Sequence, residues 1–322
     1  MSPATDRLAR PAATPPAAPP TTAKPSARVR RRTAWQGASF TVPYFLGFAL
    51  FIVVPVIVGL SESLYTKKSS GLGFGGQSVT FSGLDNFTRG LNDEAFWGGM
   101  LRVTLFALVV IPIIQIASLA AALLLDELGR RAAGRFRVAL LIPHMVPGIV
   151  AILIWIYLYS PAVGPITPFF SLFGIDADFY SGALIWVSIG NIMAWSSIGF
   201  NILVVYGALQ NIPREIFDSA RVDGASTLRI AWSIKVPFVR TSLVLTSVLA
   251  IIATLQIFSD PLLFRSMTPE TVDRNFTPIM MIYDQAFAVG DLSYASALSI
   301  ILAAVVGIAS AVFYKLTNRK PT

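Results

Sequence analysis

The sequence predicts an all-α integral membrane protein. Of its 322 residues 54% are hydrophobic and only 13% are charged, and the mean hydropathy is +0.66, whereas soluble domains carry about 25% charged residues. Several apolar stretches are each close to the roughly 20 residues that a helix needs to cross hydrocarbon. Open backbone is excluded from lipid and no stretch alternates like a barrel strand, so helices remain. The six predicted spans are residues 40–61, 99–125, 138–159, 181–209, 238–260 and 293–315.

The chain before the first span differs in composition from the rest. Residues 1–33 contain seven prolines, many alanines and the run Arg28-Val-Arg-Arg-Arg32. Such a composition cannot bury enough apolar surface to offset the entropy of ordering. We therefore predict a disordered basic tail at residues 1–33 and a transmembrane domain at residues 34–322. The arginines are interpreted as orientation signals that also attract anionic lipid headgroups.

The distribution of Lys and Arg predicts the orientation. If the N-terminus is cytoplasmic, the inner segments hold 19 of the 25 basic residues, and the outer loops hold five, with Arg102 at the mouth of the second span. Inner loops of membrane proteins carry the excess of basic residues. We expect both termini, and the charged segment at residues 211–237, to face the cytoplasm.

The segment at residues 211–237 cannot lie in lipid, because each of its many charged groups would cost about 2.5–3.5 kcal/mol at the bilayer centre. Its local signals predict two short helices joined by a tight corner. Pro213 suits a first helical position and Gly224 suits a helix end. Ser226 or Thr227 can cap a second helix, which Pro237 is expected to break before the fifth span. Predicted apolar faces comprise Ile216, Phe217 and Ala220 on the first helix, and Leu228, Ala231 and Trp232 on the second.

Composition and motifs exclude several chemistries. The chain has no cysteine and a single histidine, His144, between Pro143 and Pro147, so we predict no catalytic residues and no metal site. No Gly-rich loop ending in Lys-Ser or Lys-Thr occurs, and we expect no nucleotide hydrolysis by this chain. The net charge of +8 is spread between apolar runs, which argues against a nucleic-acid partner. His144 is interpreted as structural or as lining a pathway.

The spacing within the charged segment resembles a known signature. Asp218-Ser-Ala220, three residues, Gly224, nine residues and Ile234-Lys-Val-Pro237 are similar to the Glu-Ala-Ala loop of bacterial ATP-binding-cassette importer permeases. Asp223-Gly-Ala225 also resembles the Asp-Gly-Ala common within that loop. The resemblance extends over residues 40–316 and points to the carbohydrate-uptake class, similar to the first maltose or glycerol-phosphate permease. Further similar stretches are Leu209-Gln-Asn-Ile-Pro213, Leu158-Tyr-Ser-Pro161 and Gly290-Asp-Leu-Ser-Tyr294-Ala-Ser-Ala297.

The resemblance implies a type I importer permease fold with a cytoplasmic coupling hairpin. It implies a second permease, different in sequence, two ATPase subunits that use ATP and Mg, and an extracytoplasmic sugar-binding protein. This chain itself is then expected to bind no cofactor. It would sit in a bacterial cytoplasmic membrane. The coupling residues that it implies are Asp218, Ser219, Ala220, Asp223, Gly224, Ala225, Ile234 and Pro237.

Asp218 and Ser219 stand where the signature has Glu and Ala, and Met267-Thr-Pro-Glu270 replaces a frequent Gly-Gly-Pro turn.

Polar groups inside spans are costly and usually face a cavity or another helix, and aromatic side chains can stack on sugar rings. We therefore predict that the substrate pathway includes Asn191, Trp195, Phe200, Asn201, Gln256, Ser259 and Asp260.

Two other classes of protein stay open on the residues alone. A gradient-driven transporter would need an ionisable relay within the spans, and no Asp, Glu, Lys or Arg lies mid-span. A membrane enzyme would need clustered His, Ser or carboxylate groups. Copurification with an ATPase separates the importer from the first class, and activity in detergent tests the second. The sequence does not identify the sugar.

Overall fold

A computed structural model describes residues 38–39, 41–69, 77–182 and 184–317. The predicted tail at residues 1–33 lies outside the described residues. By its internal contacts the chain divides into two units, Met1–Val56 and Ile57–Thr322. The described part of the first unit consists mainly of the beginning of helix α1, Thr41–Ser63. The second unit holds the elements considered below.

The second unit is built from helices and one short two-stranded antiparallel ribbon, in which Tyr65 pairs with Phe81. The sequence analysis did not predict this ribbon. After α1 the elements are β1 Tyr65–Ser69, β2 Gln77–Phe81, α2 Asp85–Leu91, α3 Glu94–Glu127, α4 Arg130–Met145, α5 Gly148–Tyr159, α6 Ile166–Ser171, α7 Ile185–Leu209, α8 Arg214–Val222, α9 Thr227–Ile230, α10 Val236–Leu255, α11 Ser259–Arg265, α12 Pro278–Asp284 and α13 Leu292–Thr317.

Five helical segments of the described chain are long and apolar enough to cross a membrane, and the number is six if a bent pair of helices is counted as one span. The bent pair is α4 with α5, which meet at an angle of 89°. The sequence analysis predicted one span at residues 138–159, whereas the structure divides this stretch into two helices. The cause is Pro147, whose ring forces the preceding Val146 into an extended conformation, with φ −72° and ψ 128°.

Two other prolines do not break their helices. Pro55 and Pro237 each follow a one-turn π-helix, Ala49–Val53 and Ala231–Lys235 respectively, at the same distance along the chain. A proline removes one backbone donor and its ring crowds the carbonyl four residues earlier. The wider π-turn relieves this crowding. Because of it, α9 runs through the π-turn into α10 without a break, so the predicted interruption at Pro237 is wrong.

The main core lies among α3, α5, α7, α11, α12 and α13. Fully buried members from four of these helices include Phe96, Ile189, Phe264 and Tyr294. A second, smaller core of Ala122, Leu125, Ile202, Val205, Leu209, Ile212 and Val239 lies at the end of the bundle that carries α8. The charged segment is therefore seated on its own group of packed side chains.

At the other end of the bundle, Arg89 joins α2 to the beginning of α13. Its guanidinium lies 3.6 Å from the ring centroid of Tyr294, and its Nη1 donates to Asp291 Oδ2 at 2.9 Å. The Asp291 carboxylate also accepts from the backbone N–H of Tyr294 at 3.1 Å. Gly290, with φ +81°, provides the turn that precedes α13. These contacts give the Gly290 to Tyr294 stretch a structural role.

Candidate functional site

The first half of the charged segment forms an amphipathic helix, α8. Pro213 was predicted to be the first helical residue, but it stands at the N-cap position, one residue before the helix begins at Arg214. Glu215 lies in the first turn and Arg221 in the last, which complements the helix dipole at both ends. Phe217 is half-buried, whereas Ile216 is exposed. The predicted apolar face is thus only partly covered.

A left-handed glycine ends α8. Gly224 has φ +78°, its N–H donates to the carbonyl of Arg221, and the N–H of Ala225 donates to the carbonyl of Ala220. This pair of hydrogen bonds is the Schellman motif. Among the described residues, no atom lies within 4 Å of where a Cβ on Gly224 would be. The need for glycine therefore comes from the backbone angle and not from crowding.

Ser226 caps the second helix, since its side-chain oxygen accepts from the backbone N–H of Arg229 at 3.3 Å. The predicted apolar side of this helix is corrected. Leu228 and Trp232 are 69% and 65% exposed, and Ile230 and Lys235 are the buried residues.

Six of the predicted coupling residues, from Asp218 to Ala225, lie at this corner, whereas Ile234 and Pro237 lie further along the chain, in and after the π-turn. Asp218, Ser219, Asp223, Gly224 and Pro237 are exposed, and Ala220, Ala225 and Ile234 are half-buried. The side chains of Asp218 and Arg221 form an ion pair at 3.3 Å that is open to solvent. An exposed pair of this kind adds at most about 1 kcal/mol to stability. The corner is thus a solvent-facing surface on a fixed backbone, available to another protein.

Sequence reasoning missed the charged cluster behind α8. Lys235 Nζ lies 2.7 Å from Asp126 Oδ2 and also pairs with Glu127, and Gln210 Nε2 donates to Asp126 Oδ1 at 2.8 Å. These groups line a cavity of about 380 Å³ beneath Phe217. The only signal in the sequence was two acidic residues that end a long apolar span, with a lysine inside the charged segment.

Some of the predicted pathway residues meet in one cavity. Phe200, Asn201 and Asp260, from α7 and α11, line a space of about 330 Å³ together with Thr246 and Thr254 of α10. The cavity is otherwise mainly apolar in its lining. One carboxylate, one amide, several hydroxyls and an aromatic ring are groups that can bind a polyhydroxylated molecule. The hydroxyls of Ser196 and Ser197 belong to the same lining.

The other predicted pathway residues lie elsewhere. Asn191 Nδ2 donates to the Tyr159 hydroxyl at 2.8 Å and borders a separate apolar cavity of about 630 Å³. Trp195 packs edge-on against Trp155 at 6.0 Å between ring centroids. Gln256 and Ser259 are exposed and line neither of these cavities. The seven residues therefore do not form a single site in this conformation.

His144 lies beside the pathway cavity. Its Nδ1 is 2.8 Å from the carbonyl oxygen of Ser196 in α7, and its ring stacks on Phe200 with 5.2 Å between centroids. This hydrogen bond joins the end of α4 to the middle of α7, close to the break after Met145. The imidazole thus holds two helices together.

Comparison with known proteins identifies the family. A family model described as the inner membrane component of binding-protein-dependent transport systems matches residues 116–322, more than half of the chain. The chain belongs to this family. The match includes the charged segment, and it confirms the resemblance on which the coupling residues were proposed.

Relatives with similar sequences cover almost the whole permease. The diacetylchitobiose uptake permease NgcF of Streptomyces coelicolor is 27% identical, over 90% of this chain and 85% of its own length. The lactose permease LacF of Rhizobium radiobacter is 27% identical, over 88% and 95%. The sn-glycerol-3-phosphate permease UgpA of Pectobacterium atrosepticum is 27% identical, over 92% and 98%.

A crystal structure of a bacterial ABC transporter involved in alginate import shares the fold. Its chain superposes with a TM-score of 0.77 at 18% identity, over 92% of this permease and 100% of the other chain. This confirms the predicted fold class, a helical type I importer permease. The chain is a multi-pass membrane protein and an inner-membrane component of a binding-protein-dependent transport system. The individual site residues remain predictions.

Proposed function

We propose that this permease forms half of the translocation pathway of an ATP-driven importer for a sugar or sugar derivative. Its α8 corner would dock into a separate ATPase subunit that binds ATP and Mg, so that closure of two ATPases rocks the bundle between inward-facing and outward-facing states. The observation that carries this proposal is the exposed Schellman corner at Gly224, which is rigid in its backbone and seated on the second core.

The geometry of α8 supports docking in three ways. The exposed side chains of Asp218, Ser219 and Asp223 supply polar contacts at the corner. The half-buried Ala220 and Ala225 carry the corner hydrogen bond and leave room for close approach. Exposed Leu228 and Trp232 add apolar area beside them, and aromatic side chains are enriched where proteins bind one another. A solvated connector would not need such a surface.

The names of the relatives support a sugar or sugar derivative as substrate, since they include permeases for diacetylchitobiose, lactose and sn-glycerol-3-phosphate. Delivery would fall to an extracytoplasmic binding protein, and the other half of the pathway to a second permease of different sequence. In this arrangement both termini and α8 face the cytoplasm. Asn201, Phe200 and Asp260 are the groups that we place along the substrate pathway.

Crosslinking tests the docking and the orientation together. The chain lacks cysteine, so Ser219→Cys introduces a single thiol at the corner, and Leu172→Cys introduces one on an exposed residue after α6. In membranes that contain the whole transporter, a short bifunctional crosslinker should join position 219 to the ATPase subunit. Position 172 should instead react with an impermeant maleimide added outside. Crosslinks from position 219 to lipid or outer proteins alone would contradict the proposal.

A further inference from the structure

We propose that Lys235 is a positioning residue that clamps the coupling segment to the ends of α3 and α7, so that movement of α8 is carried directly to those two spans. The clamp consists of Lys235, Asp126, Glu127, Gln210 and Phe217. The proposal rests on the proposed function, because it concerns how motion leaves the same coupling segment.

The five residues come from four parts of the chain that meet at one point. Asp126 and Glu127 end α3, Gln210 follows α7, Phe217 lies in the middle of α8, and Lys235 closes the π-turn before α10. Lys235 Nζ is 2.7 Å from Asp126 Oδ2 and 5.4 Å from the centroid of the Phe217 ring. The ammonium therefore touches both the coupling helix and the second span.

The ion pair between Lys235 and Asp126 is held in place because both side chains are buried. The Lys235 side chain is only 5% exposed and that of Asp126 12%, whereas Glu127 is 43% exposed. A buried ammonium must keep its carboxylate partner, because separating the two charges in a poorly hydrated site is costly. Lys235 belongs to the coupling segment, so movement of that segment that kept α3 in place would have to pull Lys235 away from Asp126. The coupling segment and α3 should therefore move as one body.

The hydrogen bond from Gln210 extends the clamp to a third helix. Asp126 accepts from Lys235 through Oδ2 and from Gln210 through Oδ1, so a single carboxylate joins the end of α7 to the beginning of α10. Both α3 and α7 contribute to the cavity at Asn201, through Ile111, Ile114 and Phe200 among others. A displacement of α8 would thus reach two walls of the proposed pathway.

A purely structural ion pair would also bury these charges, and the two roles predict different kinetics. A structural pair affects how much transporter folds. A clamp affects how much substrate crosses for each ATP consumed by transporter that has already folded. The ratio of uptake to ATP turnover, measured on equal amounts of purified complex, therefore separates the roles.

The first experiment compares single variants in proteoliposomes that contain the intact transporter with its binding protein. In Lys235→Met the ratio of uptake to ATP turnover should fall at least about fivefold, the lower end of usual coupling strengths. Lys235→Arg keeps the charge and should restore most of the ratio. The matched control is Lys315→Met, an exposed lysine at the end of α13, which should leave the ratio unchanged. An unchanged ratio in Lys235→Met overturns the proposal.

A double variant removes the problem of an unpaired charge. Lys235→Met with Asp126→Asn leaves neither buried charge of the short pair, and the amide oxygen can still accept from Gln210. The yield of folded complex should recover relative to Lys235→Met, because no isolated carboxylate is left in the buried position. The ratio of uptake to ATP turnover should stay low. Recovery of the ratio together with the yield overturns the clamp in favour of a structural role.

A distance measurement tests the clamp without any ATPase. Spin labels on Ser219→Cys and Ile116→Cys, in the full chain in lipid nanodiscs, report the separation of α8 and α3. Ile116 lies ten residues before Asp126, hence roughly 15 Å along the helix. Lys235→Met should broaden or shift the distance distribution, and Lys315→Met should not. Identical distance distributions for all variants would overturn the clamp. The proposed function is tested separately, because it fails if no ATPase copurifies with the permease.

Discussion

The coupling segment and the pathway cavity lie in the same bundle but are built in opposite ways. The α8 corner is set by contiguous residues, because its two closing hydrogen bonds join Ala220 to Ala225 and Arg221 to Gly224. The cavity at Asn201 is lined by residues that run from Ile111 to Asp260. Local backbone geometry determines the first region, and packing between helices determines the second. The two should respond differently to the same kind of substitution.

The largest effect is expected at the corner. Gly224→Val places a β-branched residue at φ +78°, at a local cost of about 1–2 kcal/mol, and should abolish uptake while the protein remains in the membrane. Uptake of labelled sugar and ATP turnover of the reconstituted transporter measure it. The matched control is Gly134→Val in α4, where nothing lies within 4 Å of the added Cβ and φ is not positive. Normal substrate-stimulated ATP turnover in Gly224→Val would contradict the assigned role.

At Gly199, next to the cavity residues Phe200 and Asn201, a larger residue is excluded by steric crowding and not by the backbone angle. A Cβ on Gly199 would lie 2.0 Å from the carbonyl oxygen of Leu140, so Gly199→Ala must push α7 away from α4. Overpacking of this kind costs typically 1–3 kcal/mol, and we expect the upper part of that range. Thermal unfolding of the purified permease should show the loss. Gly207→Ala in the same helix meets no atom within 4 Å and should unfold like the parent; equal stability of both variants would mean that the helices are not in contact here.

A moderate effect on transport is expected within the cavity. Asn201 is buried and lines it, whereas Gln256 is exposed and does not. If Asn201 donates one hydrogen bond to the sugar as it passes, Asn201→Ala loses about 0.5–1.5 kcal/mol, hence up to roughly tenfold in uptake. Gln256→Ala should leave uptake unchanged. Initial rates at equal amounts of transporter in the membrane measure both, and a reversed order of the two variants would place the pathway outside this cavity.

The sequence predicts most of the coupling segment because its determinants are neighbours in the chain. The positive φ at Gly224 follows from the residue type at that position, and the cap of the second helix was limited to Ser226 or Thr227. The sequence did not predict how each proline would affect its helix. Pro147 and Pro237 have the same local chemistry, yet the first ends a helix at a sharp bend and the second is accommodated by a π-turn.

The sequence did not predict the tertiary contacts either, because they join residues that lie far apart in the chain. Lys235 and Asp126 lie 109 residues apart in the chain, and no periodicity connects a lysine in a charged loop to a carboxylate at the end of another span. The predicted pathway residues show the opposite error, because residues expected to lie together in one site lie apart. Polarity and possible aromatic stacking selected seven residues, but Asn191 bonds to Tyr159 and Trp195 packs on Trp155. A polar or aromatic side chain inside a bundle can contact a neighbouring helix instead of a substrate pathway.

The smallest expected effect distinguishes two caps that the sequence could not separate. Ser226 and Thr227 are both good N-cap residues, but only the Ser226 hydroxyl accepts from the backbone N–H of Arg229, while Thr227 is the first residue inside α9. Ser226→Ala should therefore destabilise the start of this helix by about 1 kcal/mol, and Thr227→Ala should not. Amide hydrogen exchange at residues 227–230 measures this local opening directly. Because the corner at Gly224 closes through its own hydrogen bonds to α8, exchange at residues 219–225 should stay unchanged in both variants. Faster exchange across the corner in Ser226→Ala would show that the two short helices form one cooperative unit.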